Sequence, residues 1–581
     1  MKNNHVNKAV FTVIKKNIGL FGLLLFTILG VVVASLIPPQ VLRQIIDRNL
    51  IPKSSDGLLN LAILYVSVIF FIGFFDFFKG ALLTVLGQKI TKEIRSGMMD
   101  KMSRISAVFF TTNQSGAVVS RFTNDVNAIN SLFTEGIVGM VIDCFKVFGI
   151  VVSISMFSAT LGFYTIFLIP LIVIITRMFQ RRMLKAQIQN RIQVSKVNNS
   201  ISESLKNILM IKTFNKEAYM EKRFKEELGD NFMTVEKVNF YDSVYPPIIQ
   251  VTRAAVIASI VVLASSQLNY IGISLGMIAA TIDLFSNLFE PIESLGMELQ
   301  HIQEAVSGIK RVNDFFAEEE DVTKNDQLLL RDIIPATGEL HLDFNNVSFY
   351  YREGTDVLQD ISLSIHPQEK VTFVGRTGVG KTTLFKLIMG LLVPVEGSIT
   401  INSINVTDIP NAQKRRIFGY VDQSFPMIKG TIKDQISLKD PDITSQQVQA
   451  ALAYVGLSDY VATFENGIDT PANQGTLFSQ GQKQLLAIAR AIVTDPPILL
   501  LDEVTANLDS ITEERIVTVL QKAGQTHTIL SISHRLSSML ASDKVVILEE
   551  GKIKNVGTPE MLLENDAWYR SHIELEKLTW N

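Results

Sequence analysis

The stretch Gly375-Arg376-Thr377-Gly378-Val379-Gly380-Lys381-Thr382 matches the pattern of a phosphate-binding loop. Residues 370–374 before it predict a strand, and residues 383–390 after it predict a helix. In this setting, glycines let backbone N–H groups turn inward around phosphate groups at the positive end of the helix. We therefore predict that Lys381 reaches the β- and γ-phosphates of a nucleotide and that Thr382 holds Mg²⁺.

An acidic pair follows a second predicted strand. The aliphatic run at residues 498–501 is typical of a buried strand in a parallel sheet. Asp502 ends this run, and ligands bind at the carboxyl ends of the strands in such sheets. We predict that Asp502 helps to hold Mg²⁺ and that Glu503 orients or deprotonates the water that attacks the nucleotide.

The composition indicates that part of the chain contacts membrane lipid. Of its 581 residues, 47% are hydrophobic and 19% are charged, and the formal net charge is -3. Soluble domains carry about 25% charged residues, so a lipid-embedded segment is expected. The near-neutral charge gives no indication of a nucleic-acid partner. Cys144 is the only cysteine, which excludes an internal disulfide.

Six segments in the first half are apolar and long enough to cross a bilayer, which takes about 20 residues in a helix. The third and fourth are joined near Ser158 with almost no connection, which predicts a tight hairpin. The polar stretches that follow the second and fourth spans predict helices that continue beyond the membrane. The six predicted spans lie near Ile18–Ile37, Leu59–Leu86, Ser131–Phe157, Ala159–Phe179, Ile248–Ser266 and Ile271–Leu299.

Basic residues predict the orientation of the spans, because cytoplasmic loops are enriched in Lys and Arg. The segments after the second and fourth spans are rich in Lys and Arg, whereas the turns near Ser158 and Asn269 have none. The first outer loop also contains Arg43, Arg48 and Lys53, which weakens the contrast. The pattern predicts a multi-pass protein of the cytoplasmic membrane with both termini and the nucleotide-binding half in the cytoplasm.

The change in sequence character predicts the domain division. Residues 1–316 contain the apolar runs and predict the transmembrane domain. From Thr337 to residue 581, short Val/Ile/Leu runs alternate with helical patterns, which is typical of an α/β domain. The acidic and polar stretch 317–336 is the predicted linker. The expected fold is a six-span α-helical bundle with long cytoplasmic helical extensions, followed by an α/β P-loop nucleotide-binding domain.

Between the two nucleotide motifs lies the segment Phe478-Ser479-Gln480-Gly481-Gln482, followed by a predicted helix. With this segment in place, the second half resembles an ATP-binding cassette (ABC) protein, in which the signature Leu-Ser-Gly-Gly-Gln opens a helix. The resemblance implies that Ser479, Gln480, Gly481 and Gln482 face an ATP molecule held by a partner subunit. It also implies ATP contacts from the loop residues Gly375, Arg376, Thr377, Gly378, Val379, Gly380, Lys381, Thr382 and Thr383.

Other family motifs appear in order. Tyr351 resembles the aromatic residue that stacks on adenine, and Gln423 resembles the glutamine that contacts Mg²⁺ and the attacking water. Asp509 resembles the aspartate that crosses the dimer interface. His534 resembles the histidine that contacts the γ-phosphate. The resemblance therefore implies ATP and Mg²⁺ as ligands, with Glu503, His534 and Gln423 catalytic and Thr382, Gln423 and Asp502 at the metal.

The first half resembles the exporter type of this family, so the resemblance covers nearly the whole chain. Residues 109–125 resemble its first intracellular loop and 212–219 its second. Arg311 and Pro291 fall where the last span of this type usually has such residues. The implied function is ATP-driven export of an unidentified amphipathic substrate of drug, lipid or peptide type. An importer that reuses the fold and an ATP-gated channel or regulatory module are the alternatives.

The signature departs from the family at Gln480, where the family has glycine. A Cβ at this position can crowd the close backbone approach to the partner's nucleotide. The catalytic set of this chain is complete, however. This combination favours a heterodimer with a second ABC half-transporter over a homodimer, because one site would then combine Glu503 with an intact partner signature.

Ionisable residues within the predicted spans are candidates for the substrate cavity, because charges in lipid usually face a bundle interior or a wet cavity. Asp76 with Lys79, and Asp143 with Lys146, are spaced for local ion pairs on a helix. Asp283 and Glu290 have no such partner and lie two helical turns apart on the last predicted span. We therefore predict that Asp283 and Glu290 contribute to substrate handling.

Overall fold

A computed structural model describes residues 4–267, 274–321, 328–335, 340–352, 354–472, 477–504, 510–533, 539 and 541–579. They form two compact units. The first comprises Met1–Ser103 and Gln114–Glu318, and the second comprises Arg104–Asn113 and Glu319–Asn581. The segment Arg104–Asn113 thus belongs to the second unit, which a division by sequence order alone did not predict.

The first unit is helical, and the described part contains six helical stretches that are long and apolar enough to cross a membrane. We number them spans 1 to 6: Ile18–Leu50, Leu58–Met102, Ser115–Phe157, Ala159–Lys206, Glu217–Val262 and Leu275–Ala317. The predicted number of spans is confirmed. The helices of this unit are His5–Lys16, Ile18–Ser35, Ile37–Ile45, Leu58–Met102, Ser115–Ser120, Val126–Ser131, Ile137–Phe157, Ala159–Lys206, Ile208–Thr213, Glu217–Gln267, Leu275–Ser286 and Phe289–Ala317.

The predicted helical extensions are also confirmed. The helix Leu58–Met102 has 45 residues and Ala159–Lys206 has 48. At 1.5 Å per residue each is roughly 70 Å long, about twice the ~30 Å thickness of the hydrocarbon core. Span 1 ends in a π-helical turn at Ile46–Leu50, and the helix of span 3 is interrupted by two such turns, at Arg121–Asp125 and Leu132–Gly136.

Spans 3 and 4 form the predicted tight hairpin. Ser158 is the single residue between the helices Ile137–Phe157 and Ala159–Lys206. The two helices approach closely here, because a Cβ at Gly162 would lie 2.9 Å from the Cα of Ser155. Further along, spans 3 to 6 share a core that includes Ile154, Ile172, Ile260 and Phe285.

Span 6 is two helices rather than one. Leu275–Ser286 and Phe289–Ala317 are separated by residues 287 and 288. Pro291 lies in the first turn of the second helix, where its missing N–H costs no helical hydrogen bond. The first helix is capped from span 1: Asp47 accepts hydrogen bonds from the Gly276 N–H at 2.9 Å and the Ser274 hydroxyl at 2.5 Å.

The second unit contains two sheets, which confirms the predicted α/β class. A four-stranded antiparallel sheet has the order β2-β1-β4-β5. A six-stranded sheet has the order β10-β9-β3-β8-β7-β6, and all its neighbouring pairs are parallel except β10 with β9. The strands are β1 Leu342–Tyr350, β2 Asp356–Ile365, β3 Lys370–Gly375, β4 Glu396–Ile401, β5 Ile404–Asn405, β6 Phe418–Val421, β7 Ile498–Asp502, β8 Thr528–Ile532, β9 Lys544–Glu549 and β10 Lys552–Gly557.

Helices pack around these sheets. Because β3, β8, β7 and β6 are parallel neighbours, their carboxyl ends meet at one edge of the sheet, where the predicted nucleotide residues follow. Ile333, inside the predicted linker 317–336, is fully buried in the core of this unit. The helices are Ala107–Thr112, Leu330–Ile333, Lys381–Ile388, Asn411–Ile417, Ile432–Ser437, Ser445–Tyr454, Ser458–Ala462, Gln480–Ile492, Ser510–Ala523, Pro559–Asn565 and Ala567–Thr579.

Candidate nucleotide site

The glycine-rich loop joins β3 directly to the helix Lys381–Ile388, as predicted. Gly380 has φ +103, and a Cβ there would lie 2.8 Å from the Leu358 side chain. A Cβ at Gly375 would lie 2.4 Å from the carbonyl oxygen of Leu548. Only glycine meets both the conformational and the steric demand at these two positions.

Lys381 begins this helix and is buried, with 6% of its surface exposed. Its Nζ donates hydrogen bonds to the carbonyl oxygens of Gly375 at 2.6 Å and Arg376 at 3.1 Å. Burial lowers the pKa of Lys381, while the nearby carboxylates of Glu503 and Asp502 act in the opposite direction. The ammonium group is therefore held inside the loop and close to the acidic pair.

Thr382 and Asp502 bring the loop and β7 together. The Thr382 hydroxyl donates a 3.0 Å hydrogen bond to the Asp502 carboxylate. Asp502 is the last residue of β7, and burial raises its pKa, an effect that the bond from Thr382 opposes. A hydroxyl and a carboxylate side by side are hard oxygen donors, so this pair fits the ligand preference of Mg²⁺.

Gln423 and Glu503 form a second contact at the same edge. The Gln423 amide donates a 2.7 Å hydrogen bond to the Glu503 carboxylate. Glu503 has the left-handed backbone value φ +49, and its N–H donates to Ile532 of β8 at 3.0 Å. Gln484, which our sequence analysis missed, donates to the Gln423 carbonyl oxygen at 2.9 Å and is almost fully buried. The signal available in the sequence was only the position of Gln484 in the helix that follows the signature.

Tyr351 lies immediately after β1. Its hydroxyl is 3.2 Å from the hydroxyl of Thr383, and its ring packs edge-on against Phe349 with centroids 5.0 Å apart. These contacts place the aromatic ring beside the helix that the phosphate-binding loop begins. Its predicted role in adenine stacking stays a prediction.

The signature segment opens a helix, as its sequence predicts. Ser479 caps the helix Gln480–Ile492, and its hydroxyl accepts from the Gln482 N–H while the Gln482 side chain accepts from the Ser479 N–H. Gly481 is buried, and a Cβ there would lie 2.1 Å from the Thr512 side chain. Gln480 is exposed and does not have a positive φ. The local fold therefore requires glycine at 481 but not at 480.

Phe478, which replaces the usual leucine, fits its surroundings. It is buried against the rings of Tyr460 and Phe464, at centroid distances of 5.8 and 6.2 Å.

Two predicted site residues, Asp509 and His534, lie outside the described residues, so their predicted roles stay predictions. Residues 473–476, ahead of the signature, also lie outside them.

Two family models match the chain. The ABC transporter transmembrane region matches residues 21–292, and the ABC transporter model matches residues 358–506. The lactococcin-G-processing and transport ATP-binding protein LagD of Lactococcus lactis subsp. lactis is 31% identical over 90% of this chain and 74% of its own length. This chain belongs to the ABC transporter family.

Further relatives of this ABC transporter support the exporter type. The probable multidrug resistance protein YheH of Bacillus subtilis is 28% identical over 90% of this chain and 77% of its own length. The ATP-dependent lipid A-core flippase of Syntrophus aciditrophicus is 26% identical over 86% of this chain and 82% of its own length. The structure of a bacterial Atm1-family ABC exporter with ATP bound has the same fold, with a TM-score of 0.76 and 21% identity. The match covers 97% of this chain and 99% of that chain. This ABC transporter is a multi-pass membrane protein that binds ATP and couples its hydrolysis to exporter-type transport.

The membrane domain of this ABC transporter carries the second set of predicted residues. Asp283 is half-buried and Glu290 is exposed, and they lie on opposite sides of the break in span 6. Asp283 and Glu290 therefore do not lie two turns apart on one continuous helix, as the sequence had predicted. The predicted ion pair between Asp76 and Lys79 is present at 2.5 Å.

Proposed function

We propose that this chain is one half of a heterodimeric exporter that moves an amphipathic substrate out across the cytoplasmic membrane. Relatives are named for multidrug resistance, lipid A-core and lactococcin G, which supports a substrate of drug, lipid or peptide type. The observation that carries the proposal is the pairing of an assembled catalytic half with a substituted signature. Thr382 meets Asp502 and Gln423 meets Glu503, whereas Gln480 replaces the signature glycine.

In this proposal the loop 375–383 binds the phosphates of ATP through backbone N–H groups and the ammonium of Lys381. Thr382, Asp502 and Gln423 would hold Mg²⁺, which would neutralise charge on the phosphates. Glu503 accepts a proton from the attacking water, and Gln423 positions the carboxylate of Glu503 through its hydrogen bond. Gln484 in turn holds the backbone of Gln423.

The partner subunit supplies what this chain lacks. One ATP site combines Glu503 of this chain with an intact partner signature and hydrolyses rapidly. The other combines the partner's phosphate loop with Ser479, Gln480, Gly481 and Gln482, with Asp509 at the interface. The backbone conformation at Gln480 does not require glycine. Its Cβ therefore imposes a steric cost only against the nucleotide held by the partner.

In this proposal, the distribution of basic residues determines how the spans are oriented in the membrane. Arg177, Arg181, Arg182 and Lys185 continue along the helix of span 4, whereas the single-residue link at Ser158 has no charge. The positive-inside rule then gives cytoplasmic termini and a cytoplasmic nucleotide-binding domain. The domain division at residues 316 and 337 is part of the same proposal.

The experiment that tests the assembly compares the chain expressed alone with the chain co-expressed with a second half-transporter. Mass measurement and ATPase assays of the purified complexes are the readouts. We expect rapid ATPase only in the mixed complex, with Glu503→Gln in this chain abolishing it. A homodimer of this chain that transports at full rate with two equivalent sites would contradict the heterodimer.

Direction of transport is tested with inverted membrane vesicles. An exporter concentrates substrate inside them in the presence of ATP, an importer empties them, and a channel only equilibrates the two sides. The Glu503→Gln complex is the matched control, since it keeps the membrane domain but not ATP turnover.

A further inference from the structure

The helix His5–Lys16 precedes span 1, and Asn17 alone separates it from the helix Ile18–Ser35. Its buried residues are valines, with at most 8% of their surfaces exposed: Val6, Val10 and Val13. Their spacings of four and three residues place them in one stripe along the helix. The apolar side of this helix is therefore covered by protein and does not need lipid.

Contacts with span 6 hold the start of this helix in place. The Val6 N–H donates a 3.3 Å hydrogen bond to the side-chain oxygen of Asn313. The His5 ring stacks on the ring of Phe316, with centroids 4.9 Å apart. The helix thus has a fixed orientation, with the valine stripe inward and the opposite side outward.

The outward side carries two lysines and a phenylalanine. At 3.6 residues per turn, Lys8, Phe11 and Lys15 lie about half a turn from the valine stripe. Both lysines are exposed, and Phe11 has 68% of its surface exposed. We call these three residues the outer face. Packing within this chain does not account for an aromatic ring held outside the protein between two ammonium groups.

The surroundings of the outer face are basic. Residues 1–46 contain no Asp or Glu, and Lys16 ends the helix. Lys89 of span 2 donates a 2.5 Å hydrogen bond to the side-chain oxygen of Asn17, which brings a further ammonium group to the junction with span 1. This end of the membrane domain therefore attracts anions.

The junction with span 1 places the outer face near the bilayer surface. The apolar helix of span 1 begins at Ile18, which has 73% of its surface exposed. Lys15 lies three residues earlier, roughly 5 Å along a helix, which is within the headgroup layer beside the hydrocarbon core. Lipid phosphates lie in this layer, and an aromatic ring is favourably placed there.

We propose that the outer face, Lys8, Phe11 and Lys15, is a binding surface for anionic phospholipid headgroups. The two ammonium groups contact lipid phosphates, and the Phe11 ring lies at the boundary between headgroups and acyl chains. Only the assignment to the cytoplasmic leaflet rests on the orientation given under Proposed function. The binding itself depends neither on the direction of transport nor on the heterodimer.

The test uses the full transporter with Phe11→Trp in nanodiscs of phosphatidylcholine mixed with phosphatidylglycerol. Either lipid is brominated in turn, and quenching of the introduced indole reports which lipid lies beside it. Protein without this substitution corrects for Trp568 and Trp580. We expect stronger quenching by brominated phosphatidylglycerol, and a preference that weakens at high salt.

Lys8→Gln/Lys15→Gln should lower this preference by about fivefold for each lysine removed, the usual attraction of a lysine to an anionic surface. Lys196→Gln/Lys222→Gln is the matched control and should keep the preference. It removes the same charge from two exposed lysines that lie at least ~25 Å along their helices from the predicted ends of spans 4 and 5.

Three results would overturn the proposal. Absence of quenching by either lipid would mean that water or a partner subunit covers the outer face. Equal quenching by both lipids would mean contact with the membrane without headgroup selectivity. A preference that survives Lys8→Gln/Lys15→Gln would place the selectivity elsewhere. Both sides of a nanodisc carry the same lipids, so an incorrect orientation of the spans would leave these results unchanged.

Discussion

The side-chain amide of Gln423 donates a 2.7 Å hydrogen bond to the carboxylate of Glu503, across the ends of two adjacent parallel strands. The bond fixes the group that we propose to activate water. We predict that Glu503→Gln lowers ATP turnover at least ~100-fold, the usual contribution of general-base catalysis, while ATP binding is retained. Phosphate release and binding of a fluorescent ATP analogue are the measurements.

Lys381→Ala is the comparison for this variant, since it removes the ammonium group from the phosphate-binding loop. It should lose nucleotide binding itself. Normal hydrolysis by the Glu503→Gln protein in the assembled transporter would show that the catalytic assignment is incorrect.

Arg311 and Asp125 provide a second prediction, on stability. Arg311 donates two hydrogen bonds to Asp125, at 2.9 and 2.5 Å, and Asp125 is 5% exposed. Arg311→Ala leaves this buried carboxylate unpaired and should destabilise the membrane domain by roughly 2 kcal/mol. Arg191→Ala is the control, because its 3.4 Å pair with Glu304 is exposed and such pairs contribute little. Thermal stability in detergent should fall for the first variant only. Equal stability of both would refute the argument.

Gly276 supplies a third prediction. A Cβ there would lie 2.5 Å from the Arg43 carbonyl oxygen and 2.6 Å from the Asp47 carboxylate, which caps the first helix of span 6. Gly276→Ala should therefore weaken the cap and cost about 1–3 kcal/mol through overpacking. Gly22→Ala in span 1 meets nothing within 4 Å and should be neutral or slightly stabilising. The measurement is the midpoint of thermal aggregation for the two proteins, and a Gly276→Ala protein as stable as wild type would disagree with the described cap.

The substrate residues give a fourth prediction. Neutralising Asp283 and Glu290 together should change substrate-stimulated ATPase activity while the basal rate survives, because ionisable groups within spans that face a water-filled cavity usually serve transport. Asp76→Asn/Lys79→Gln removes a locally compensated pair and should leave stimulation unchanged. Unaltered stimulation and transport in the Asp283/Glu290 double variant would count against a cavity role.

The nucleotide half was largely predictable from sequence because its requirements are local. Gly375, Gly380 and Lys381 lie within a single strand–loop–helix unit, so their spacing alone indicated their arrangement. The aliphatic strand before Asp502 placed this acid at the correct edge of the sheet, where Thr382 meets it. Gln484 was not predicted, because its bond to the Gln423 carbonyl joins residues far apart in sequence.

The membrane half was predictable in its spans but not in its polar contacts. Hydrophobic length depends only on composition, whereas the partner of Asp143 depends on how spans 3 and 6 pack. A spacing of three residues favoured Lys146, yet the Asp143 carboxylate accepts its hydrogen bond from Ser294 of another span. The break at residues 287 and 288 was likewise missed, although Pro291 beyond it favours the start of a new helix.

The single-residue link at Ser158 has a consequence for biogenesis. Because spans 3 and 4 are joined without a polar loop, inserting them as a pair requires no hydrophilic segment to be carried across the bilayer. Spans 3 and 4 can therefore enter the bilayer together as one helical hairpin. If the link were lengthened with charged residues, those residues would have to be carried across the bilayer during insertion.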